Sequence, residues 1–206
     1  MTRRAGVLAV CLLTPGCANE RDPAVMTFFV TSSSSGTGNL GGLAGADAHC
    51  RSLAQAAGSS KREWRAYLSA PGADAQPPVH AKDRIGRGPW RNAFGVEIAA
   101  SVEDLHGAGN RLGVRNSTDE WGDIVHGSMH DVLTGSNPDG TLADGDSTCN
   151  GWTSTGGKAI VGHHNKTGGP GERPTSWNSS HSSAGCSAVD LKSTDGAGLF
   201  YCFAAD

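Results

Sequence analysis

Six cysteines constrain this chain more than any other feature: Cys11, Cys17, Cys50, Cys149, Cys186 and Cys202. The first lies in a segment that reads as an export signal. Thr2-Arg3-Arg4 is a short basic start, and Ala5 to Leu13 is a run of nine apolar or small residues. That run is too short to cross a bilayer and has the length of a signal-peptide core. With the leader removed and Cys17 at its boundary, Cys50, Cys149, Cys186 and Cys202 remain. An even set in an exported chain reads as two disulfides, and sequence alone allows three pairings. None of the four lies in a Cys-x-x-Cys pair, which argues against a zinc ribbon or a thioredoxin-like site. Composition explains the need for staples. Glycine fills 30 of 206 positions, about twice the usual share. The glycines have no three-residue period, which excludes collagen. Charged residues are 18% and hydrophobic residues 37% of the chain, with five Trp. This composition suits a loop-rich globular domain and excludes a coiled coil, a charged disordered tail and a polytopic membrane protein.

Thr14-Pro15-Gly16-Cys17 resembles a bacterial lipobox, in which the Cys becomes lipid-modified. An ordinary signal peptide cut near Ala18 is the alternative. Residues 1–17 are therefore expected to be a signal peptide with a lipidation site at Cys17, residues 18–25 a polar tether, and residues 26–206 one domain. The expected location is the outer membrane or cell surface, or a secreted or periplasmic state, with membrane contact only through the N-terminal lipid. Net charge is −3, with no basic block, which argues against nucleic-acid binding and against docking to anionic lipid.

Along the domain, Met26 to Thr31 is β-branched and aromatic and predicts a first strand. Leu43, Asp47, Cys50, Leu53, Ala54 and Ala57 draw one face of a helix ended by Gly58, with Cys50 pointing inward. Trp64 to Ser69 alternates as a half-buried strand. Ala81 to Ile85 predicts a short helix, Pro89 to Asn92 a turn anchored by Trp90, Val96 to Ile98 an extended piece, and Ser101 to Leu105 a helical turn capped by Ser101. From Gly107 to Gly157 the chain reads mostly as turns. Thr148 to Thr153 and Lys158 to Gly162 predict two short strands, Gly168 to Pro174 a loop, and Leu199 to Phe203 a final strand. The fold class is α+β.

The order helix-Cys50, Cys149, Cys186, final strand-Cys202 resembles the C-type lectin-like fold, with the endostatin branch closest. His49-Cys50 to Gly58 followed by Trp64 to Ser69 is similar to the family's cysteine helix and next strand. Cys149-Asn-Gly-Trp152, Gly185-Cys186 and Leu199-Phe-Tyr-Cys202 are similar to its central and closing segments. The chain also resembles bacterial exported proteins labelled as lectins. The resemblance implies one main N-terminal helix, short mixed and antiparallel strands, a long loop region, and nested disulfides Cys50–Cys202 and Cys149–Cys186.

It also implies a place to look for ligand. Calcium-dependent members carry a Pro-centred motif before the third-strand Cys and a Trp-Asn-Asp motif before the next. Asn137-Pro138-Asp139 and Trp177-Asn178-Ser179 are similar to these. Asn137, Asp139, Trp177 and Asn178 are thus candidate ligand-binding residues, and Asn137, Asp139, Asp144, Asp146 and Asn178 candidate calcium ligands. Two departures stand out: Asn137 is a shorter amide than the family's residue, and Ser179 replaces a charged ligand. The other reading of Asn137-Pro-Asp-Gly140 is a β-turn, and of Trp177 a core anchor. Of the histidines, adjacent His163 and His164 point to opposite faces of a strand and would not share an ion. His126, His130 and Asp131 approach zinc spacing only if helical, against their Gly-Ser context. Endostatin zinc uses an N-terminal histidine cluster, and no His precedes His49 here. Asn116, Asn165 and Asn178 begin Asn-x-Ser/Thr triplets, which are glycan acceptors only in a eukaryotic secretory route. The leading expectation is an exported cell-surface binding module for glycan or extracellular protein, not an enzyme. The alternatives are a calcium-independent adhesion module of endostatin-like type and a hydrolase. For the hydrolase no Gly-x-Ser-x-Gly occurs.

Overall fold

The computed structural model describes residues 20–61, 63–72, 76–167 and 175–206. Cys11, Cys17, the expected leader and the Gly168 to Pro174 loop lie outside them. The last strand organises the molecule. It is β8, Gly196–Ala204, and the other strands of the sheet assemble around it. The N-terminal strand β1, Phe28–Val30, pairs antiparallel with its second half, Phe28 facing Phe203 and Val30 facing Tyr201. On the opposite edge, β2, Trp64–Ala66, pairs antiparallel with the same half, and β5, Asp131–Leu133, runs parallel to the first half. Beyond β5 come β6, Ile160–His163, and the edge strand β7, His181–Ser182. A separate two-stranded ribbon joins β3, Trp90–Arg91, to β4, Glu97–Ala99.

β8 reads as a continuous hydrophobic run because both of its faces are covered. Its alternate residues part accordingly. Phe200, Cys202 and Ala204 join Phe29, Trp64 and Trp152 in one cluster, while Leu199, Tyr201 and Phe203 join Phe28, Tyr67, Trp90 and Trp177 in the other. Helix α1, Gly42–Ala56, covers the first face with buried Ala46, Cys50 and Ala54, at the three- and four-residue spacing of its sequence. The remaining α-helical pieces among the described residues are about one turn each: α2, Val102–Leu105, α3, Cys149–Trp152, and α4, Ala188–Lys192, and single 3-10 turns form at Ala81–Asp83, inside the expected Ala81 to Ile85 helix, and at Gly127–Met129. Ser101 caps α2 by accepting from the Asp104 amide, as the sequence predicts.

Among the described residues two disulfides form, Cys50–Cys202 and Cys149–Cys186. The first ties α1 to β8. The second ties α3 to the segment before α4. Gly38 lies against this second bridge, where a β-carbon would collide with the Cys149 sulfur.

Several local expectations are corrected. Thr148 to Thr153 is not a strand: Cys149, Asn150, Gly151 and Trp152 all take left-handed backbone, with φ of 48°, 55°, 64° and 68°. The Thr148 hydroxyl accepts from the Gly151 amide, and the buried Trp152 indole donates to the Ser69 carbonyl at 2.7 Å. With the disulfide, these bonds hold a turn that L-residues otherwise disfavour. Pro89 to Asn92 contributes strand β3 where a turn is expected. The region from Gly107 to Gly157 contains β5, which its sequence does not announce, and α4 forms where the sequence predicts no helix.

Candidate functional site

The turn singled out by the sequence is well formed. The Gly140 amide donates to the Asn137 carbonyl at 2.9 Å, closing a β-turn with Pro138 at its second position. Asp139 accepts from the Thr141 hydroxyl and amide, lies 3.7 Å from the Lys82 ammonium, and is 63% exposed. The other candidates are differently placed. Asn137 spends its amide nitrogen on the Thr141 hydroxyl and the Leu142 carbonyl. Asn178 is 1% exposed. It donates to the Tyr67 hydroxyl and to the Asn137 and Pro138 carbonyls, and it accepts from the Ser176 hydroxyl. Trp177 is buried against Tyr67, His106 and Tyr201, so it anchors the loop to the core. Gly162 permits that anchoring, because a β-carbon there would collide with the Trp177 carbonyl. Asp144 and Asp146 are exposed, and Asp146 accepts from the Lys158 amide. Asp139, Asp144 and Asp146 do not gather into a carboxylate cluster among the described residues.

A different group of side chains does converge. Asp131 on β5 stands directly opposite His163 on β6, and His181 on β7 stands opposite Val161, one diagonal step from His163. These three share a face by strand geometry. His130, just before β5, adds a fourth. The Asp131 Oδ1 atom lies 3.4 Å from His130 Nε2, 3.0 Å from His163 Nε2 and 3.4 Å from His181 Nε2. The His163 and His181 Nε2 atoms are themselves 3.0 Å apart. The Asp131 side chain is 1% exposed, whereas His181 is 39% exposed. Burial works to raise the Asp131 carboxyl, and the His163 and His181 rings, when they are protonated towards it, overcome burial and hold it at about 2. His181 is raised by its contact with Asp131, while His130 is lowered by burial and by His163.

His126 does not join His130 and Asp131 among the described residues. His126 is exposed and bonds to Ser128 at the start of the Gly127–Met129 turn. His163 and His181 take its place, brought in by strand register. His164 lies in the turn that follows β6; it is 1% exposed, and burial, with His130 and His163 adding to it, lowers its imidazole to about 4.

Two further surface features frame the molecule. A wide hollow of about 850 Å³ includes Trp90, Pro89, Lys61, Arg87 and Arg91 in its lining. Trp121 stands 45% exposed on a turn fixed by Asp119, whose carboxylate accepts from the Trp121 and Asp123 amides. The Arg21 guanidinium lies 5.2 Å from its ring centre. Among the described residues no helix is long and apolar enough to cross a membrane. No family model and no curated protein matches the chain.

Proposed function

We propose that this chain is an exported binding module of the C-type lectin-like class, recognising an extracellular glycan or protein through its rigid loop face without calcium. The observation that carries this reading is Asn178. Its amide is buried and fully committed to Tyr67 and to the 137–140 turn. It therefore acts as a brace for the loops, where a calcium ligand would need its oxygen free and facing solvent. The nested disulfides and the helix stapled to the last strand support the class. Loops fixed in advance lose little freedom on binding, which favours recognition.

Trp121 is the contact we assign to the ligand in place of Trp177. It offers a large exposed ring on a pinned turn, suited to stacking on a sugar or filling a protein pocket. The test is an array of glycans and candidate extracellular proteins, probed with the full chain in buffers with calcium and with calcium omitted. Binding is expected to survive without calcium and to fall at least about tenfold in Trp121→Ala. Binding that requires calcium, or that Trp121→Ala leaves intact, would refute this assignment.

A further inference from the structure

Asp131 lies apart from Trp121 and from the turn that Asn178 braces. It is a buried carboxylate, and among the described residues neither of its oxygens makes a well-directed hydrogen bond, although three imidazole nitrogens stand 3.0–3.4 Å from Oδ1. A buried charge left without hydrogen bonds is costly, so something must compensate it.

The tautomers narrow what that is. His163 Nδ1 lies 2.7 Å from the Thr167 carbonyl, and His181 Nδ1 lies 3.1 Å from the Ser182 carbonyl. A carbonyl oxygen only accepts, so each Nδ1 carries the proton and each neutral ring presents a bare lone pair at Nε2. Those two lone pairs face each other at 3.0 Å and face the Asp131 oxygen as well. Three electron-rich atoms converge where a cation belongs.

The spacing suits a particular cation. Tetrahedral zinc has bonds of about 2.0–2.1 Å to nitrogen and oxygen, which set neighbouring donors about 3.3 Å apart. The three distances to Asp131 Oδ1 and the distance from His163 to His181 run from 3.0 to 3.4 Å, and His130, Asp131 and His163 have donor atoms all within 4.8 Å of one another. Backbone carbonyls on the outer nitrogens of His163 and His181 are the outer contacts that orient histidine ligands. Calcium and magnesium want six or more oxygens and do not match three imidazoles and one carboxylate. A cavity of about 480 Å³ lined by His130, His163, His181, Ser180 and Asp195 gives the ion a way in.

We propose that His130, Asp131, His163 and His181 form a binding site for a divalent transition-metal ion of the zinc class. His130, Asp131 and His163 supply the gathered donors, and His181, 3.0 Å from His163 and 3.4 Å from Asp131, supplies the fourth, so that the filled site is closed and structural. It ties the edge strand β7 to β5 and β6, a part of the sheet that neither disulfide reaches.

The test is titration calorimetry on the full chain, first stripped of metal and desalted, with zinc as the probe. One zinc per chain is expected, together with a rise in the unfolding midpoint. His181→Ala, at a half-exposed position that tolerates truncation, should weaken zinc by at least about tenfold, as should Asp131→Asn. His126→Ala, outside the cluster, should leave zinc binding unchanged. Cobalt in place of zinc should give the intense visible bands of tetrahedral coordination. Far-ultraviolet dichroism verifies that each variant is folded. Absence of stoichiometric zinc, or an affinity that His181→Ala leaves unchanged, overturns the proposal.

Discussion

Asp47 lies on the inward face of α1 and is 6% exposed. It accepts from the Ala66 amide at 2.9 Å and from the Arg84 guanidinium at 2.8 Å through both oxygens, and Arg65 adds a third partner. Arg84 also donates to the Ala66 carbonyl. Burial pulls the Arg84 guanidinium below its ordinary range, and Asp47 opposes that pull. Removing the carboxylate leaves a buried cation unpaired, so Asp47→Ala should cost about 3–5 kcal/mol. Urea unfolding of the oxidised protein measures this, and a loss under about 1 kcal/mol would show that the cluster is solvated. The sequence places Asp47 on the buried helix face by its spacing from Leu43 and Cys50. It does not reveal the partners, because Arg65 and Arg84 arrive from β2 and from the turn after Ala81–Asp83.

Between elements, one directional chain of hydrogen bonds fixes the loops. The Asn178 amide donates to the Tyr67 hydroxyl at 2.9 Å, and Tyr67 donates to His106 Nε2 at 2.7 Å. His106 Nδ1 donates to the Val102 carbonyl at 2.7 Å. Every donor meets an acceptor only while His106 is neutral, and burial accordingly lowers its pKa below the usual 6.5. The unfolded chain then binds the proton more readily than the folded one. The contribution of His106 is present in full above the unfolded pKa and is lost as pH falls through 6.5 toward the lower folded value. The stability advantage of wild type over His106→Gln should therefore shrink between about pH 7.5 and pH 5.5. A difference that stays constant in urea titrations across that range would contradict this account. Elements with a strong repeat or a long apolar run, α1 and β8, are legible in the sequence. Three-residue β5 is not, because Asp131-Val-Leu133 gains its strand form from β6 and β8 on either side. The histidine cluster is hidden for the same reason: the pairings of β5 with β6 and of β6 with β7 bring its members together. The α3 turn is misread because its left-handed backbone is set by distant partners, Cys186 and Ser69.

For the whole molecule, the two bridges are nested. Cys50–Cys202 spans 152 residues and encloses Cys149–Cys186, which spans 37. In the chain-entropy model these closures destabilise the unfolded state by about 5 and about 4 kcal/mol. Domains of this size have a total stability of about 5–15 kcal/mol, so the bridges account for a large part of what holds a glycine-rich chain folded. They also act at different places. The outer bridge joins α1 to the strand on which the sheet is built, so its loss loosens the shared core. The inner bridge holds the left-handed α3 turn and the loop around Gly38. Replacing Cys149 and Cys186 with Ala should lower stability by about 4 kcal/mol, yet leave α1 and β8 paired and unfolding still cooperative. Replacing Cys50 and Cys202 should cost about 5 kcal/mol and broaden the transition, because the cut falls inside the core. Full reduction should remove both terms and leave the chain unfolded at ambient temperature in dilute buffer. Calorimetry of the oxidised, reduced and two double-variant forms measures each step, and a reduced chain that keeps a sharp transition near the oxidised midpoint would show that the core holds without its staples.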